Sequence, residues 1–112
     1  MNNKERELWR IIDNVINCCA MTNDDGTLTI TREDVLGKSR AENIVMARCM
    51  VVEQMLHAGF SVTTVSIILN RSVQAIRHLQ KLAYTYISAS RVYRLATAEA
   101  TLLNKDVEPI CI

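Results

Sequence analysis

An all-α domain, a compact bundle of about five to six helices, is what this sequence predicts, and three observations predict it. Apolar residues make up 49% of the chain and aromatic ones 4%, so its core is aliphatic side chains and methionine, which suits helix packing. Three glycines and one proline leave little punctuation for many short strands. Apolar positions recur at spacings of three and four through most of the chain. At 112 residues the length fits one domain. We expect it over residues 1–103, with 104–112 as a tail.

The first helix is expected over residues 4–20, where Leu8, Ile11, Ile12, Val15, Ile16 and Cys19 form one stripe. Trp9, the single tryptophan, lies close to that stripe and is expected to pack in the core or a groove. Thr22-Asn23-Asp24-Asp25-Gly26 is a turn cluster, and Thr27–Ile30 reads as a short extended piece. Thr31 and Asp34 resemble a capping pair that opens a short helix, Arg32 to Leu36, ended by Gly37.

A long helix is expected over about 39–58, with Ser39 as its N-cap. It carries Ile44, Val45, Ala47, Met50, Val51, Val52, Met55 and Leu56 around much of its girth, the mark of a central helix. Arg40 and Arg48 are eight residues apart, roughly 80° around a helix axis, so both are expected to face out on one side. Ala58-Gly59-Phe60 ends the helix, with Gly59 as the left-handed cap.

Ser61 to Leu82 then reads as a helix-turn-helix, 61–82. Val62, Val65, Ile68 and Leu69 mark the inner face of its first helix. Asn70 tolerates the left-handed conformation of a tight turn, and Ser72 is a good N-cap for the second helix. Val73, Ile76, Leu79 and Leu82 form that helix's apolar stripe and leave Gln74, Arg77, His78 and Lys81 on its other faces. A DNA-reading helix presents its N-terminal side chains to base edges, and Arg and Gln have the bidentate chemistry for that. Helical spacing continues through Ala83, Tyr86, Ile87 and Ser90. Val92, Leu95, Ala96, Glu99 and Leu102 form a last amphipathic stretch. Arg91 and Arg94 sit poorly with a helix N-terminus, which argues for one continuous helix across Ser88-Ala89-Ser90.

Net charge is +1, but its partition is informative. Residues 1–34 carry four cations and seven anions, residues 35–98 eight and two, and residues 99–112 one and three, giving −3, +6 and −2. A basic middle between acidic ends suggests a polyanion-binding segment. The four cysteines, Cys18, Cys19, Cys49 and Cys111, form no CxxC pair, and His57 and His78 form no ligand cluster with them. Thiols in a reducing cytoplasm, and no metal, are therefore expected. No leader-like apolar run or membrane-length stretch occurs, so a cytoplasmic location without a membrane partner is expected. No G-x-x-x-x-G-K-[ST] occurs, so neither a nucleotide nor another cofactor is expected. No nucleophile is framed by a base and an orienting acid, so an enzyme is not expected.

From Leu8 to about residue 84, this order of signals resembles the C-terminal DNA-binding domain (domain IV) of the bacterial chromosomal replication initiator DnaA, a Trp-repressor-like helix-turn-helix fold. The match is strongest over DVLGKSRAENIVMARCMVVEQML, residues 34–56, and LWRIIDNVINCC is similar to the helix leading into that domain. The resemblance implies that Arg40 enters a minor groove, that Arg48 contacts the neighbouring DNA and that Lys38 contacts a phosphate. It places Arg71 and His78 on family positions in and after the turn. The family's turn runs Gly-Gly-Arg and then Asp-His-Thr-Thr-Val. This chain has Asn70-Arg71 and then Ser72-Val73-Gln74-Ala75-Ile76, which implies altered base specificity. The expected function is stand-alone, regulatory binding of double-stranded DNA through Lys38, Arg40, Arg48, Arg71, Ser72, Gln74, Arg77, His78 and Lys81. The alternative is a protein-interaction module that kept the scaffold, with a homodimer or protein partner engaged through the acidic ends or apolar tail.

Overall fold

The computed structural model describes residues 3–19 and 29–107, and these form six helices with no strand among them. They are α1 (Asn3–Cys19), α2 (Arg32–Leu36), α3 (Glu42–His57), α4 (Val62–Ile68), α5 (Val73–Ala89) and α6 (Arg91–Leu103). The turn cluster at 22–26, most of the extended piece 27–30, and Pro109 to Ile112 lie outside the described residues.

Helix α3 is the axle, packed against each of the other five helices. Six consecutive residues, Ala47 to Val52, are buried, so neighbours surround it on all sides, as its apolar girth predicts. Leu8, Ile11, Ile12, Val15 and Ile16 of α1 are buried as the stripe requires. Val65, Leu69, Ile76, Leu79 and Ala83 supply the core from α4 and α5.

Local chemistry sets most boundaries. The Thr31 hydroxyl accepts from Asp34 N, and the Asp34 carboxylate accepts from Thr31 N at 3.0 Å, a reciprocal capping box. Gly37 follows α2 with extended backbone, φ −81°, rather than a left-handed turn. Its glycine is required by space, since a Cβ there would stand 2.8 Å from the Glu33 carbonyl oxygen. Gly59, at φ 104°, and Asn70, at φ 53°, are both left-handed. Each closes the same pattern. Phe60 N donates to Met55 O and Gly59 N to Leu56 O, and likewise Arg71 N donates to Ser66 O and Asn70 N to Ile67 O.

Three expectations are corrected. α3 starts at Glu42, because the Ser39 hydroxyl accepts from Ala41 N and so holds the approach to the helix rather than its first turn. The chain breaks at Ser90 rather than continuing as one helix. The Ser90 hydroxyl caps α6 by accepting from Tyr93 N, while Arg94 Nη1 donates back to the Ile87 carbonyl at the end of α5. An arginine that looked misplaced at a helix start is thus serving the C-terminus of the helix before it. The domain also extends past residue 103. Asn104 and Val107 are buried, and Asp106 accepts from Arg10 Nη2 at 2.7 Å.

That docking includes a buried polar relay. Asn14 Nδ2 donates to Asn104 Oδ1 (2.8 Å), Asn104 Nδ2 to Gln54 Oε1 (3.1 Å), and Gln54 Nε2 to the Thr101 hydroxyl (3.0 Å). The Thr101 hydroxyl donates in turn to the Thr97 carbonyl. α1, α3 and α6 are therefore joined by amides whose hydrogen bonds are satisfied in the interior. Trp9 lies half-buried beneath the Arg32 guanidinium, 4.8 Å from its ring centre, and Arg32 is held by Asp13.

Candidate nucleic-acid interface

The basic surface is built from two pieces, the N-terminal half of α5 and the loop between α2 and α3. Ser61 caps α4 by accepting from Thr64 N, and Ser72 caps α5 by accepting from Ala75 N. Ser72 is exposed, with one oxygen lone pair committed to that cap. Ile76 and Leu79 turn inward, which leaves Gln74, Arg77, His78 and Lys81 exposed at i, i+3, i+4 and i+7 on a single outward face. None of these four is tied to another side chain among the described residues. Lys38 and Arg40, on the loop, are likewise exposed.

Arg48 is placed differently from expectation. It is 5% exposed and faces the α2–α3 loop, not solvent. Its Nε donates to the Val35 carbonyl (2.8 Å), Nη1 to Ser39 O (3.1 Å), and Nη2 to Asp34 O (2.9 Å) and Gly37 O (3.0 Å). The physical reason is geometry. The loop turns its carbonyls toward α3, and a planar guanidinium with five N–H groups is the side chain that can serve several of them at once. Arg71, half-buried in the turn before α5, does the same from the other side. Its Nη1 donates to Leu69 O (3.1 Å) and Leu36 O (3.4 Å), and its Nη2 to Gly37 O. Two residues expected to face DNA are therefore committed to backbone carbonyls.

This arrangement has an electrostatic cost that remains on the surface as potential. Neither Arg48 nor Arg71 forms an ion pair among the described residues. Burial lowers the pKa of Arg48 first, and the neighbouring charge of Arg71 lowers it further; burial lowers Arg71 as well. Carbonyl dipoles satisfy the hydrogen bonds without cancelling the net charge. Two cations thus lie just beneath a loop that carries two more, Lys38 and Arg40, so four of the eight cations of the middle segment gather here.

The remaining chemistry is sparse. No group of three His, Cys, Asp or Glu residues that could hold a metal occurs among the described residues. Burial pushes the Cys49 thiol up to about 12 and the Cys18 and Cys19 thiols up to about 11, the opposite of an activated nucleophile. No described helix is long and apolar enough to cross a membrane.

Sequence reasoning found the exposed α5 face and the loop cations. It missed the carbonyl clamp, whose acceptors are backbone atoms without a residue signature. Among known proteins, the chain matches no family model, no curated protein and no solved structure.

Proposed function

We propose that this chain is a non-enzymatic protein that binds duplex DNA, with α4–turn–α5 working as a helix-turn-helix. The observation that carries the reading is the outward face of Gln74, Arg77, His78 and Lys81 on the first turns of a helix entered through a capped, tight turn. Gln74 and Arg77 are the base readers in this reading, Gln suited to adenine and Arg to guanine. Lys81 and Lys38 neutralise phosphates. Arg40, on the loop pinned to the turn by Arg71, reaches the adjoining groove. Arg48 and Arg71 leave the contact set and become supports for it. The resemblance of residues 34–56 to the initiator's DNA-binding domain motivates this reading, and the different residues after the turn imply a different target sequence.

The test is a mobility shift or anisotropy titration with pooled random duplexes at two salt concentrations. Binding at low salt that weakens as salt rises is expected, and Arg40→Ala and Arg77→Ala weaken it further. Absence of binding to every duplex at low salt overturns the proposal, as does affinity indifferent to salt.

A second reading, a protein-interaction module on the same scaffold, draws on a separate observation. Helix α6 carries large apolar side chains into solvent, with Val92 75% and Leu102 71% exposed. The two readings occupy different faces, so retention of DNA binding after changes on α6 separates them.

A further inference from the structure

The amphipathic stretch at the end of the chain is turned the other way round from its expected packing. Tyr93, Ala96 and Ala100 face the core, while Val92 (75% exposed), Leu95 (61%) and Leu102 (71%) face out, with Leu103 (43%) beside them. Their spacing of three and seven residues is that of a helix–helix seam. Together they present on the order of 400 Å² of apolar surface, the size of the largest patch on a typical monomer and commonly a functional one.

Charge on the same helix indicates what covers it. Arg91, at the N-terminal end, and Glu99, in the C-terminal half, are both exposed, and neither has an ion-pair partner among the described residues. Eight residues separate them, about 12 Å along the axis, too far to pair within one helix. An antiparallel second copy of α6 solves both problems at once. Setting Val92 opposite Leu102 of the other copy puts Leu95 beside its Glu99. Arg91 and the other copy's Glu99 then stand about 6 Å apart along the axis, within reach of two long side chains. A two-fold axis makes each contact twice. The positive end of each helix dipole also meets the negative end of the other.

We propose that α6 is a self-complementary surface through which two copies of this chain associate antiparallel. With the residues flanking the stripe, each copy buries on the order of 600 Å², near the lower bound for a specific complex, so the dimer is reversible and concentration-dependent. It is independent of DNA binding, since α6 carries none of the residues of the α5 face.

Sedimentation equilibrium of the full chain, from low to high micromolar, tests this. A mass rising toward that of two chains is expected. Leu95→Glu raises the dissociation constant at least about tenfold, because it places a charge in the seam. Its melting temperature should match that of the unaltered chain at concentrations where both are monomeric, because Leu95 contributes little to the monomer core. Arg91→Glu and Glu99→Arg each weaken association alone, because each sets like charges against one another across the seam. An equimolar mixture of the two variants restores it, since in the mixed dimer the introduced carboxylate faces the introduced guanidinium and the unaltered Arg91 faces the unaltered Glu99. Monomer at every concentration overturns the proposal. So does a dimer insensitive to Leu95→Glu, or a mixture no tighter than its components, which also excludes the antiparallel arrangement.

Discussion

Arg48 and Arg71 donate to the same acceptor, the carbonyl oxygen of Gly37. One guanidinium comes from the central helix and the other from the turn before α5, so the loop bearing Lys38 and Arg40 is locked to both. Removing either arginine orphans carbonyls that it alone serves, Val35 O and Ser39 O for Arg48 and Leu69 O for Arg71. Arg48→Ala is expected to cost about 3 kcal/mol of unfolding free energy, the range for buried polar groups left without partners. Arg40→Ala, on the exposed side of the same loop, is expected to cost under about 0.5 kcal/mol. Urea denaturation of the two variants, read by helical circular dichroism, measures the contrast.

The salt dependence of DNA affinity counts the free cations. With Arg48 and Arg71 committed to the loop, Lys38, Arg40, Arg77 and Lys81 remain to displace counterions. Four cations set against the duplex, two on phosphates and two in the grooves, give a log–log slope no steeper than about −3.6, against about −5 for all six basic residues. Lys81→Ala should reduce the slope by about 0.9 at all sequences alike, while Arg77→Ala should also flatten the preference among sequences. Titrations over a series of salt concentrations read both.

Backbone conformation at three positions predicts changes of opposite sign. Gly37→Ala forces a Cβ onto the Glu33 carbonyl and should lower stability by about 2 kcal/mol. Gly59→Ala holds a side chain at φ 104° and should cost about 1 kcal/mol. Asn70→Gly relieves a non-glycine residue at φ 53° and should add up to about 1 kcal/mol, provided the turn keeps its two closing hydrogen bonds. Thermal melts of the three variants test the signs directly.

Glu53 gives the fold a pH dependence. One of its carboxylate oxygens is buried without a hydrogen-bond partner. Burial raises its pKa, with His57 and Gln54 acting in the opposite direction. A carboxyl group whose folded pKa is raised contributes stability that is fully present below its ordinary pKa of about 4.3, and loses it as pH rises through the raised value. Glu53→Gln should therefore melt higher than the unaltered chain at neutral pH, with the gap closing as pH falls toward about 4. Equal gaps at both ends would show that the carboxyl titrates normally.

What was legible in the sequence is what a few consecutive residues write down. The Thr31–Asp34 box, the left-handed Gly59 and Asn70, and the Ser72 cap each depend on partners within five residues, and each formed as expected. The central place of α3 was legible too, because apolar residues around a full turn admit no other position. Arg48 was not, since spacing reports the direction of a side chain on an ideal helix but not a loop of carbonyls folded over it. Nor was the orientation of α6. Val92, Leu95 and Leu102 line one face and Tyr93, Ala96 and Ala100 another, so periodicity offers two stripes, and tertiary packing chose the one with Tyr93. Ser90 misled through the charges that follow it, because Arg94 answers to carbonyls in the preceding helix.

The contact between Arg10 and Asp106 joins positions 96 residues apart, and the Asn14–Asn104 pair beside it spans 90. The α4–turn–α5 unit, by contrast, closes through neighbours a few positions away. Contacts between distant parts of the chain form only after a large loop entropy has been overcome. The two halves of the molecule therefore stand at opposite ends of the folding order, with the proposed DNA-facing turn set early and the clasp between the first and last helices set late. Exchange of the Asn104 and Val107 amides should accordingly report the first opening of the native state, while those near Asn70 stay protected. Loosening that clasp parts Arg10 from Asp106 and Asn14 from Asn104 before it disturbs the exposed face of α5.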